Sequence, residues 1–110
     1  MRNCVIHRGC IDVASRANFL SPQQKKFVLQ AGRDIEAIIK NDPKVVVLDE
    51  GDSTLVARFF RRGEEVMLYG GYRDGCLETA RQALLKKGVQ AYFHPTGSIP
   101  IFTIDRRYDR

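Results

Sequence analysis

The spacing of apolar and polar positions changes several times along this chain, and each change marks an element. Residues 3–14 (NCVIHRGCIDVA) put Val5, Ile11 and Val13 on one parity and Cys4, Ile6 and Cys10 on the other, which predicts a strand broken or bulged near Gly9. The spacing then lengthens to three and four residues. Val28, Ala31, Ile35 and Ile38 form a helical stripe, widened by Phe27 and Ile39, while Lys25, Lys26, Arg33, Glu36 and Lys40 take the other faces. Ser21 is placed to cap this helix, Pro22 suits its first position and Gln24 can close a capping box. Asn41-Asp42-Pro43 ends it, because proline cannot continue the hydrogen-bond ladder.

Three strands are predicted next, over residues 44–49, 54–61 and 65–69. Their connections, Glu50-Gly51-Asp52-Ser53 and Arg62-Gly63-Glu64, are short and contain glycine, which predicts the hairpins of an antiparallel meander, since parallel strands need much longer crossovers. A second helix over 75–87 carries Cys76, Ala80, Ala83 and Leu84 on one face with Leu77 at the border, and Gly88 can supply its left-handed cap. A strand over 89–93, a turn at His94-Pro95-Thr96-Gly97-Ser98, a strand over 99–104 and a polar tail complete the chain. The order β-α-β-β-β-α-β-β predicts an α+β fold: a mixed, mainly antiparallel sheet of five to six strands with two helices.

Composition narrows the class. At 110 residues and 44% hydrophobic, the chain suits a single domain with one core over 1–110. It has no apolar run of the roughly 20 residues that cross a bilayer and no secretory succession at its start, so a soluble, cytoplasmic protein is expected. Cys4, Cys10 and Cys76 are an odd number in a chain large enough to need no staples, which predicts free thiols. The net charge of +5 is uneven: residues 1–55 hold eight Lys/Arg against seven Asp/Glu, and residues 56–110 hold ten against six. A basic second half admits nucleic acid or another polyanion as partner.

The chemistry concentrates between Glu65 and His94. Cys76 opens the second helix, where backbone amides and the helix dipole favour an anion, so Cys76 with Asp74 and His94 is a candidate catalytic set and the amides of Gly71, Gly75 and Cys76 are a candidate anion site. The helical phase also places Cys76 on the stripe of Ala80 and Ala83, where a small thiol packs. Residues 70–88 resemble the nucleophile segment of isochorismatase-type cysteine hydrolases, in which a strand ends at a glycine (here Gly70), a cysteine opens a helix (Cys76) and a glycine closes it (Gly88). Thr79-Ala80 lies one position earlier than that family's Thr-Ala pair, and Leu77 replaces its valine. The resemblance implies a thiolate nucleophile at Cys76. The order helix, meander, helix, strand is similar to the core of restriction-endonuclease-like nucleases, whose carboxylates hold Mg²⁺. Asp49, Glu50 and Asp52 could supply acids, but Val66-Met67-Leu68-Tyr69 lacks the Glu-x-Lys that cleavage needs.

Cys4-x-x-His7-x-x-Cys10 has zinc-ligand types but only three of them, with His7 on the opposite parity of a strand. Arg58, Arg61, Arg62, Arg73, Arg106 and Arg107 are interleaved with Phe59, Phe60, Tyr69, Tyr72 and Tyr108, a composition that can hold phosphates and stack on bases, although Phe59 is expected in the core. The reading that follows is a domain acting by binding, with no cofactor, no metal and no dedicated catalytic constellation. Its expected partner is another protein or a second copy in a homodimer. Nucleic acid is the next partner in line, and a small cysteine hydrolase using Cys76 is the alternative of a different class.

Overall fold

In the computed structural model, which describes residues 1–16, 20–73 and 75–99, the first strand β1 (Arg2–Ile6) is flanked on both edges. It pairs in parallel with β2 (Val46–Leu48) on one side and with β3 (Glu65–Gly71) on the other. β3 pairs in parallel with β4 (Gln90–Ile99), so the described sheet has four strands in the order β2-β1-β3-β4. Four helical segments surround it: α1 (Gly9–Ser15), α2 (Pro22–Asn41), a 3₁₀ helix (Ser53–Phe59) and α3 (Cys76–Lys86). The mainly antiparallel sheet of five to six strands with two helices is therefore overturned: among the described residues every strand pairing is parallel.

The reversal has a local cause at residues 52–60. The expected middle strand of the meander, 54–61, is instead the 3₁₀ helix, initiated by Asp52, whose Oδ1 accepts from the Thr54 amide (2.9 Å) and whose carbonyl accepts from the Leu55 amide (3.0 Å). Val56 and Phe60, four residues apart, go into the core, whereas Phe59 is 51% exposed. Alternation would have buried Phe59 instead. With no strand there, residues 49–64 form one crossover long enough to bring β3 parallel to β1.

Two other expected strands change for similar reasons. The segment 3–14 splits after Ile6: His7 takes a left-handed φ of 46°, and α1 begins at Gly9. The expected turn 94–98 is a bulge inside β4, where pairing jumps from Leu68↔Phe93 to Gly70↔Ser98. Beyond Ile99, the expected strand 99–104 and the tail lie outside the described residues.

The first long helix forms as its caps predict. In α2, Ser21 Oγ accepts from the Gln24 amide (3.1 Å), Gln24 Oε1 accepts from the Ser21 amide (2.7 Å), and the Asp42 amide closes the far end on the Ile38 carbonyl (2.9 Å). Alternate residues of β1 then separate two cores. Cys4 and Ile6, with Val66, Leu68 and Ala91, pack against Leu77, Ala80 and Leu84 of α3 and against Val56 and Phe60. Val5, with Tyr69 and Ile99, packs against Val28, Ala31 and Ile35 of α2 and Ile11 of α1. Each fully buried aliphatic side chain contributes about 1.5–3 kcal/mol. The stripe of α3 is rotated from its predicted phase: Leu77 is fully buried and Cys76 only partly so. Among the described residues no helix is long and apolar enough to cross a membrane.

Gly70 fixes the distance between the two central strands. It holds φ = 129°, and an added Cβ would collide with the Ile6 carbonyl oxygen. Gly70→Ala is expected to cost at least about 3 kcal/mol in denaturant unfolding. Gly9→Ala, whose Cβ would meet nothing within 4 Å, serves as the silent control. A second outcome concerns acid. Asp42 accepts from Asn3 Nδ2 (2.9 Å) and the Lys44 amide (2.9 Å), tying β1 to the entry of β2, and these bonds hold its carboxyl below the usual range. A depressed carboxyl stabilises the fold above its unfolded value of about 4 and loses that stability as pH falls through the folded value. Asp42→Asn should therefore be less stable than the parent at neutral pH, and the difference should shrink in acid; a pH-independent difference would contradict the bonding.

Candidate active site

The strand order reverses between β1 and β3. The chain leaves β1 to cover one face with α1 and α2, and leaves β3 to cover the other with α3. In a parallel sheet such a reversal opens a crevice at the carboxyl ends of the two strands, where ligands bind. Here the first residues past the strands are His7 after β1, Asp49 after β2 and Tyr72 after β3. From the flanking layers, α1 adds Cys10 and α3 begins with Cys76. A cavity of about 340 Å³ is lined by His7, Gly9, Cys10, Val13, Asp49 and Tyr72. A larger one, about 680 Å³, shares Gly9 and Asp49 with it and runs between α1 and α2 over Ile11 and Val28.

The lining is held by backbone bonds and one ion pair. The His7 amide donates to the Leu48 carbonyl (2.7 Å), and its Nε2 lies 2.9 Å from the Gly51 carbonyl oxygen. A carbonyl only accepts, so this contact assigns a proton to Nε2 and leaves Nδ1 outside that bond. Arg8 and Asp49 pair at 3.0 Å, half-exposed at the rim. The Gly71–Tyr72 peptide is cis. The Tyr72 carbonyl accepts from the Gly75 amide (2.9 Å) and the Leu77 amide (3.1 Å), which fixes the start of α3 against the end of β3.

The thiols differ in setting. Cys4 is sealed between the sheet and α3, and burial pushes its thiol up to about 12. Cys10 is half-buried over Gly71, whose added Cβ would lie 3.5 Å from Cys10 Cβ; burial first, and the neighbouring Cys76 second, raise its thiol. Cys10 and Cys76 thus approach each other from opposite faces of the sheet.

The other predicted residues fall as follows. His94 stands on the α2 face, its ring stacked on Tyr69 (centroids 4.5 Å apart) and its Nδ1 accepting from the Gly97 amide (2.8 Å), so it does not join Cys76. Asp74 lies outside the described residues. Of the anion set, Gly71 is buried and the Gly75 amide is already taken by Tyr72, which leaves Cys76. Cys4, His7 and Cys10 do not converge, because Cys4 faces the α3 core and Cys10 rides on α1. Among the described residues no three His, Cys, Asp or Glu side chains are grouped to hold a metal. Arg73 donates to Ser98 Oγ (2.9 Å) and to the carbonyls of Pro95 (2.8 Å) and Ser98 (3.0 Å), clamping the bulge of β4. Arg58, Arg61 and Arg62 are exposed just before the amino end of β3, and Arg106 and Arg107 lie outside the described residues. Of the acids, Asp52 caps the 3₁₀ helix and Glu50 borders the larger cavity.

Sequence reasoning missed the grouping of His7, Cys10, Asp49 and Tyr72 and the closeness of Cys10 to Cys76. The available signal was positional, because each follows or faces the end of a strand, but it becomes readable only once the strands are parallel.

A scan against protein-family models found no match, and searches of the curated proteins and of the solved structures found none.

Native-state alkylation checks the arrangement of the thiols. At pH 8, iodoacetamide should leave Cys4 unmodified until the protein unfolds, and labelling of Cys76 should slow labelling of Cys10, because the two thiols are neighbours. Equal and independent labelling of all three would contradict it.

Proposed function

We propose that the protein is a small thiol-dependent hydrolase acting on a carbonyl compound, ester or amide, held over the carboxyl ends of β1 and β3. The observation that carries the reading is the approach of Cys76, at the start of α3, to Cys10, which lines the cavity at the reversal of strand order together with His7 and Tyr72. Cys76 is the nucleophile in this account. Cys4 is sealed and the Cys10 thiol is held protonated by its burial, whereas Cys76 is partly exposed at the start of an 11-residue helix, where an anion is favoured. His7, through Nδ1, is the group to take the thiol proton and return it to the leaving alcohol or amine; water then cleaves the thioester. The Arg8–Asp49 pair borders the mouth, and the apolar floor between α1 and α2 has room for the body of a small substrate.

Turnover of p-nitrophenyl esters and of simple carboxamides tests the reading. Cys76→Ala should lower the rate by at least about 100-fold, and His7→Gln should lower it as well. Turnover that never exceeds the Cys76→Ala background, together with iodoacetamide reactivity at Cys76 no faster than that of an unstructured cysteine peptide, would overturn it.

A further inference from the structure

The amino ends of the strands present a different surface. The turn before β3 carries Arg61 and Arg62, the 3₁₀ helix ends in Arg58 and Phe59, and the turn before β4 carries Lys86 and Lys87. Specific bonds join these segments into one patch. The Gly63 amide donates to the Gly88 carbonyl (2.9 Å), Lys87 Nζ donates to the Ala57 carbonyl (2.7 Å), and Arg2 Nη1 donates to the Phe59 carbonyl (3.2 Å). The stem of Arg62 lies on Gly88, where an added Cβ would meet its Cγ at 2.8 Å.

Two features of the patch are unusual for a solvated surface. Phe59 is 51% exposed although the adjacent Phe60 is buried, so an aromatic ring is offered to solvent beside a row of cations. Arg58, Arg61 and Arg62 are exposed, and among the described residues none makes an ion pair. The neighbouring acid, Glu64, bonds to Arg2 (3.3 Å) and to the Arg61 amide (2.6 Å); that amide bond first, then Arg2, and last the charge of Arg61 hold its carboxyl low. Glu65 is the remaining carboxylate at this edge, and the Tyr92 hydroxyl lies 3.4 Å from it.

We infer that this edge binds single-stranded nucleic acid, with Phe59 stacking on a base and Arg58, Arg61 and Arg62 pairing with successive phosphates. A half-exposed ring flanked by exposed guanidiniums that make no direct ion pair offers the two contacts that unpaired strands make, a stacking platform and a track for the backbone. A duplex keeps its base faces stacked and has no use for the ring. The surface lies at the end of the sheet opposite the thiol crevice, so it does not depend on the hydrolase reading.

Fluorescence anisotropy of a fluorescein-labelled 12-nucleotide oligodeoxythymidine and of a 12-nucleotide oligouridine measures the inference. With three phosphates neutralised, raising KCl from 50 to 200 mM should weaken binding by about 20-fold. Phe59→Ala should weaken it by about 5- to 100-fold without changing the salt slope. Arg58→Gln and Arg61→Gln should each lower that slope by about 0.7. These positions are exposed, and circular dichroism checks that each variant is folded. Cys76→Ala should bind as the parent does. No binding at 50 mM KCl overturns the inference. So does equal affinity for a duplex of the same length or for heparin, or a Phe59→Ala variant that binds normally.

Discussion

Everything in this molecule hangs on β1 being buried on both faces and paired on both edges. Cys4, Val5 and Ile6 are all fully inaccessible, and each must find a different neighbour. Cys4 and Ile6 take the α3 side, Val5 takes the α2 side, and the backbone between them is satisfied by β2 and β3. A strand in that position demands a helical layer on each side and parallel partners reached by crossovers. The reversal of strand order, and with it the crevice, follows from that demand.

Legibility in the sequence tracked how local the determining interaction was. The capping box at Ser21 and Gln24 and the stop at Pro43 are decided within a few residues, and α2 forms as read. The segment 54–61 was not decided locally. Its apolar letters fit a strand by alternation, yet Asp52 at its start competes for the Thr54 and Leu55 amides, and Val56 and Phe60 together fill the space under α3. One capped turn thereby changed the direction of β3. Because the candidate site is defined by which strand ends share an edge, the same turn hid the grouping of His7, Asp49 and Tyr72. Cys76 was legible as a helix start, but its rotation was not: Leu77, read as a border residue, is the one that docks.

The two ends of the sheet carry opposite characters for a simple geometric reason. In a parallel sheet all the strand starts gather at one edge and all the strand ends at the other. Arg2, Arg61, Arg62 and Lys87 precede or begin strands, whereas His7, Asp49 and Tyr72 follow them. Residues scattered along the chain are thus sorted by their phase relative to the strands, and a modest overall charge becomes a concentrated one.

Arg73 has a mechanical meaning beyond its hydrogen bonds. Its amide donates to the Ile99 carbonyl while its guanidinium grips the carbonyls of Pro95 and Ser98, so the loop that leads from β3 into α3 and the bulge of β4 are riveted together. That bulge also carries His94, stacked on Tyr69, and Thr96, whose hydroxyl donates to Asp34 on α2. A chain of directional bonds therefore runs from the loop at Tyr72 through the β4 bulge to α2, so the crevice mouth and the α2 layer share one support.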